Sequence, residues 1–194
     1  MTFSQFLQQY EAQGQEKGDG YFPSHFEGMS PAELQRARDM LLQRALEGDT
    51  VDLDGLRLIG DAETIERLEA AAGLAVSLGP RFDVVRRETL FALTRDAHHL
   101  AGLFLLIDAD DIDVARFAAE ALARHELPAN FANPIMQRLA DGDHEASVIP
   151  LTKAWMSTQG HPILNIAAFQ QHLPQIRAIT SAPPAQRPRV MQGR

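Results

Sequence analysis

Cysteine is missing from all 194 residues, which excludes disulfides and thiolate metal ligation and fits a reducing compartment. Long apolar runs are missing too. The longest, Leu103 to Ile107, falls far short of the roughly 20 residues a membrane-spanning helix needs. The opening MTFSQFLQQYEAQGQEKG has neither a basic start nor an apolar centre, so no secretory signal is expected and a cytoplasmic location is. Sustained two-residue alternation of apolar and polar side chains is absent, which leaves no basis for β-strands. Despite 13 glycines there is no phosphate loop, dinucleotide fingerprint or nucleophile elbow, and no HExxH zinc motif occurs. No enzymatic activity, no cofactor and no metal ion are therefore expected.

What is present is acidic. Four of the 18 basic residues (Arg177, Arg187, Arg189, Arg194) and none of the 26 acidic ones lie beyond residue 176, so the preceding chain carries a formal charge of −12. A body of that sign repels a phosphate backbone, so nucleic acid is not the expected partner. It suits a basic protein partner, or simply keeps the chain soluble.

The apolar spacing is helical throughout, giving an all-α fold. Residues 3–16 place Phe3, Phe6, Leu7 and Tyr10 on one side of a short helix. After Gly18-Asp-Gly20 comes an aromatic connector, Tyr21 to Phe26, expected to fold over the end of a core or to contact a partner. Ser30, Pro31 and Glu33 mark a helix start with a reciprocal cap, and Gly48 marks its end. A short helix over 51–59 follows, then helices over 61–78, 82–94 and 97–107. Asp110 to Arg124 is the most strongly patterned stretch, with Val114, Phe117, Ala118, Ala121 and Leu122 facing inward. Helices over 133–140 and 145–157 come next, the latter with Trp155 on its apolar face. A last helix runs from Pro162 to about Ile179, bent or shortened at Pro174. The resulting division is 1–28 as N-terminal helix and connector, 29–179 as a helical-repeat domain, and 180–194 as a disordered basic tail.

Asp83, Asp113 and Asp143 recur at intervals of 30, each at or just before a helix start. Helical hairpins of this length cannot bury both faces alone and are expected to stack. The stretch Asp110-Asp-Ile-Asp-Val-Ala-Arg116, ending in Ala121-Leu122, resembles the second helix of a HEAT repeat. Val85-Arg86 with Ala92-Leu93 is a looser copy, and Asp143 to Trp155 has Ala146 where the arginine would stand. The resemblance spans about residues 60–158. It implies a right-handed α-solenoid, here with N-terminal capping helices, that works by binding macromolecules along its surface.

The densest acidic cluster is Asp108, Asp110, Asp111 and Asp113, continued by Asp141, Asp143 and Glu145. No glycine lies inside the first group and Glu120 sits on the helix itself, so a calcium loop is not indicated. Carboxylates at helix starts cap amides and favour the macrodipole, and stacked turns would also align them along one ridge able to steer a basic partner. The expected function is non-catalytic protein binding. Short acidic solenoids of this kind are similar to immunity or antitoxin-type proteins that occlude a toxin. A scaffold in a larger assembly is the alternative, and a DNA-glycosylase-like enzyme on the same layout is disfavoured by the charge.

Overall fold

The computed structural model describes residues 3–193; Met1, Thr2 and Arg194, the last arginine of the tail, lie outside the described residues. Every regular element among them is helical, as the periodicity predicts. None of these helices is long and apolar enough to cross a membrane. The chain divides into two compact units, Met1–Leu100 and Ala101–Arg194, so the boundary falls inside the span 29–179 read as one repeat domain.

The first unit begins with α1 (Phe3–Glu11) and α2 (Gly14–Gly18), then a 3-10 turn at Pro23–His25. It continues through α3 (Pro31–Leu46), α4 (Asp52–Ile59), α5 (Ala62–Ala70), α6 (Ala75–Leu78), α7 (Pro80–Thr94) and the start of α8 (Ala97–Leu105). The aromatic connector does close over a core. Tyr21 and Phe26 are buried with Phe6 of α1 against Leu41, Leu53 and Leu56, while Phe22 points outward. Ser30 Oγ accepts from the Glu33 amide at 3.3 Å and Glu33 Oε2 accepts from the Ser30 amide at 2.8 Å, the reciprocal cap read from the sequence.

A buried ionic knot holds the N-terminal segment in place. Asp52, fully buried at the start of α4, receives the ammonium of Lys17 and, at 2.8 Å, the Tyr21 hydroxyl. Its other oxygen lies 3.2 Å from Arg44 Nε, and Arg44 also donates to the Tyr10 carbonyl at 2.6 Å and to Asp49 at 2.8 Å. Burial pushes the Asp52 carboxyl up, against the hydrogen bonds from Lys17 and Tyr21 that pull it down. Burial also drives the Tyr21 hydroxyl above the ordinary tyrosine range, and the Asp52 charge adds to that.

Two expectations need correction here. The helix over 61–78 is broken by a 3-10 turn at Ala71–Leu74. Gly73 lies there, in open space and at a cost of about 1 kcal/mol against alanine in a regular helix. The tighter turn shifts the face, so Ala71 is buried, while Ala72, which a continuous helix would turn inward with Ile65 and Leu68, is exposed. In α7 burial is not confined to one stripe: Phe82, Val84, Leu90 and Phe91 are all covered, as are Glu88 and Thr89. Arg86 is buried rather than solvated, and it makes an Asp–Arg contact three residues back along the helix. It donates to Asp83 at 2.6 Å and to the Leu68 carbonyl near the end of α5 at 3.1 Å.

The second unit carries the rest of α8, a 3-10 turn at Leu106–Asp108, α9 (Ile112–Ala123), α10 (Ala132–Asp141), α11 (Val148–Thr158), α12 (Ile166–Ser181) and α13 (Arg187–Met191). The stripe predicted for α9 is where it should be. Val114, Ala118, Ala121 and Leu122 are buried and Phe117 is half-buried, and the small alanines let α11 lie along α9. Trp155 of α11 is in the core as expected. The connection after α9 is clamped by Ser157, whose hydroxyl donates to the His125 carbonyl at 2.8 Å and accepts from the Leu127 amide at 3.0 Å.

The last helix begins at Ile166 rather than Pro162, because Asn165 supplies the cap by accepting from the Ala168 amide at 2.9 Å. It is not shortened at Pro174 but runs on to Ser181, with Ile176 and Ile179 buried beyond the proline. The tail expected to be disordered is ordered across its described residues. A 3-10 turn at Pro184–Gln186 leads into α13, which packs on α10 and α12 with Arg187 and Met191 buried.

Candidate functional site

The acidic residues singled out in the sequence fall in the second unit and have unequal surroundings. Asp111 is the N-cap of α9, accepting from the Asp113 amide at 2.9 Å and the Val114 amide at 3.3 Å. Asp113 pairs with Arg116 one turn on, at 3.3 Å. Asp108 is held by Arg138 of α10, whose Nε reaches one carboxylate oxygen at 2.9 Å and whose Nη2 reaches the other at 2.5 Å. The same guanidinium lies 5.0 Å from the centre of the Phe104 ring. Glu145 pairs with the buried Arg187 at 2.7 Å. Asp141 stands exposed at the end of α10, where Gly142 takes a left-handed conformation (φ 80). That turn is pressed against Pro184, which would lie 3.1 Å from a Cβ added at Gly142.

Three of the seven come together. Asp108 and Asp110 from the turn before α9, and Asp143 from the turn before α11, line a cleft of about 440 Å³. Ala109, Ile112, Ala115 and Ala146 form its apolar walls, with His144 and Ser147 completing it. Asp111, Asp113, Asp141 and Glu145 do not line it. His144 Nε2 lies 3.5 Å from Asp108 Oδ1, so Asp108 is engaged from two sides. Asp110 and Asp143 have no ion-pair or hydrogen-bond partner among the described residues. Ser147 exposes only 1% of its surface, and its hydroxyl likewise makes no hydrogen bond among the described residues.

The 30-residue recurrence places two aspartates inside helix first turns, Asp83 in α7 and Asp113 in α9, and the third, Asp143, in the turn before α11. Sequence reasoning missed His144, Ser147 and Arg138. His144 lies between Asp143 and Glu145 and Ser147 two residues beyond them, a signal that was available. Arg138 lies 30 residues from its partner Asp108 with nothing local to betray it.

Chemically the cleft offers two uncompensated carboxylates, a hydroxyl and apolar walls. That set accepts hydrogen bonds from a cation and contacts its aliphatic stem. No group of three or more His, Cys, Asp or Glu placed to hold a metal ion occurs among the described residues. Among the histidines, His98 is exposed, whereas its neighbour His99 is buried with its Nε2 3.2 Å from Glu69, and burial holds its imidazole below the ordinary histidine range. No protein-family model, curated protein or solved structure matches this chain.

Proposed function

We propose that this chain is a non-catalytic protein-binding module whose partner is basic and docks at the cleft of the second unit. The observation that carries the reading is the contrast within one acidic group. Asp108, Asp113 and Glu145 are neutralised by the chain's own arginines, whereas Asp110 and Asp143 are left to solvent at a concave, partly apolar site. Unspent charge in a concavity steers an oppositely charged partner and fixes its register.

Each unit is read as a stack of HEAT-like hairpins of right-handed solenoid type. Support comes from the packing of α4 and α5 on α7 in the first unit and of α9 and α10 on α11 in the second. The acidic body together with the missing catalytic motifs favours, among protein binders, an immunity or antitoxin role in which a basic toxin is occluded. The test is co-purification from the native host with the wild-type chain and with Asp110→Lys/Asp143→Lys. These positions are preferable to Asp111, which holds the α9 cap. The reading expects one stoichiometric basic partner, lost in the variant and weakened by salt. Equal recovery by both chains would overturn the cleft, and a partner that is a stable housekeeping subunit would overturn the immunity role.

A further inference from the structure

The second unit already receives arginine at its acidic ridge three times over. Arg116 meets Asp113 at 3.3 Å, Arg138 grips both oxygens of Asp108, and Arg187 meets Glu145 at 2.7 Å. Beside them, Asp110 and Asp143 enter one cleft from two separate turns. A planar fork can serve two carboxylates at once, which a point charge on a flexible stem does less well.

Ser147 supplies the second, independent sign of a ligand. Ser147 is 1% exposed, yet its hydroxyl is not one of the fully enclosed unpaired side-chain atoms, so the little of the residue that stays open includes a hydroxyl free to accept a hydrogen bond. Here the hydroxyl is unpaired among the described residues, and the residue lines the cleft that Asp110 and Asp143 share. An incoming N–H donor satisfies it. Around these polar groups Ala109, Ile112, Ala115 and Ala146 present the apolar surface along which an arginine's three methylenes lie.

We infer that the cleft is a receptor for a single arginine side chain of the partner, its guanidinium bound by Asp110 and Asp143 and donating to the Ser147 hydroxyl. This rests on the protein-binding reading above and specifies what the partner must present. It also fixes a preference, arginine over lysine, that an acidic surface acting by charge alone would not have.

The experiment is an amide-resolved NMR titration of the full chain at low ionic strength. The probes are three blocked tripeptides: acetyl-Ala-Arg-Ala-amide and its lysine and citrulline counterparts. The arginine peptide is expected to shift the amides of Asp110, Asp143 and Ser147 saturably. Lysine should bind at least about threefold more weakly, and citrulline, which keeps the shape and loses the charge, should leave the spectrum unchanged. In Asp110→Asn/Asp143→Asn affinity should fall about tenfold, and Ser147→Ala should weaken arginine more than lysine. The dispersed spectra of both variants report that they are folded. Equal affinity for lysine and arginine would overturn the guanidinium assignment while leaving the acidic protein-binding reading intact. Shifts that persist unchanged in the double variant would overturn the cleft as the site. Absence of any response to either cationic peptide would overturn the receptor, and the reading itself would then fall only if Asp110→Lys/Asp143→Lys also left partner recovery unaltered.

Discussion

Arg187 donates from Nη1 to the carbonyl oxygen of Leu139 at 3.1 Å, joining the start of α13 to the last turn of α10. Arg86 does the same for Leu68 and α5 in the first unit, also at 3.1 Å. The C-terminal end of a helix leaves its last carbonyls without intrahelical partners, and in both units a buried guanidinium donates to one of them. Arg187 further donates to the Ala182 carbonyl at 3.2 Å and to Glu145. Arg187→Ala should therefore cost about 2–4 kcal/mol by urea unfolding, since it strands buried carbonyls. It should also open residues 182–193 to limited proteolysis. Lysine at this position, with no fork, should recover less than half of the loss.

Asp52 makes a sharper case. Replacing it with Asn removes the buried counter-charge shared by Lys17 and the half-buried Arg44 and leaves both to Asp49, so the loss should approach but not exceed the cost of about 3–5 kcal/mol typical of breaking a buried pair. The expected signature beyond lost stability is release of the N-terminal segment. Tyr21 is left with a neutral amide oxygen in place of a carboxylate as acceptor, and the Tyr21 and Phe26 rings should become quenchable or exchange-broadened before α7 unfolds.

Two glycines predict opposite signs. A Cβ at Gly55 would meet Leu41 Cδ1 at 2.8 Å and the Tyr21 ring at 3.1 Å, so Gly55→Ala should destabilise by about 1–3 kcal/mol through overpacking. A Cβ at Gly73 meets nothing within 4 Å, and Gly73→Ala should stabilise by about 0.4–1 kcal/mol by restricting the unfolded chain. Thermal melts of the two single variants and the wild type check both at once.

The cap of α5 carries a pH dependence. The Thr64 amide, donating to Asp61 at 3.0 Å, holds the Asp61 carboxyl below the ordinary carboxylate range. A depressed native value means the stabilisation is complete above the unfolded value of about 3.9 and is lost as pH falls through the lower native one. Asp61→Asn keeps a capping oxygen but cannot titrate there. It should match the wild type near pH 7, apart from the Arg38 ion pair, and show a shallower loss of thermal stability below about pH 4.

What could be read in advance was local. The Ser30–Glu33 cap, the buried stripe of α9 and the core position of Trp155 each depend on residues within a turn or two, where spacing carries the information. The knot of Lys17 with Asp52 could not be read, because the two lie 35 residues apart and neither belongs to a pattern. The order of the C-terminal tail was hidden for the same reason. Its composition is that of a disordered segment, and it is held by the packing of α13 on α10 and α12 and by a guanidinium whose acceptors include a carbonyl 48 residues earlier. At the cleft, the acidic residues were visible as a cluster. Which of them were already spent on Arg116, Arg138 and Arg187 depended on the fold.

Pro174 has a consequence for how the second unit breathes. Lacking an amide hydrogen, it offers nothing to the Gln170 carbonyl, so one rung of the α12 ladder is missing at mid-length. Beyond it Ile176 and Ile179 tie the helix to the core, while before it Ile166 stands exposed and no residue is fully buried. Amide exchange should divide the helix accordingly. Residues 175–181 should exchange only when the whole unit opens, and residues 166–173 should exchange through a separate, far less costly fraying that leaves the acidic cleft undisturbed.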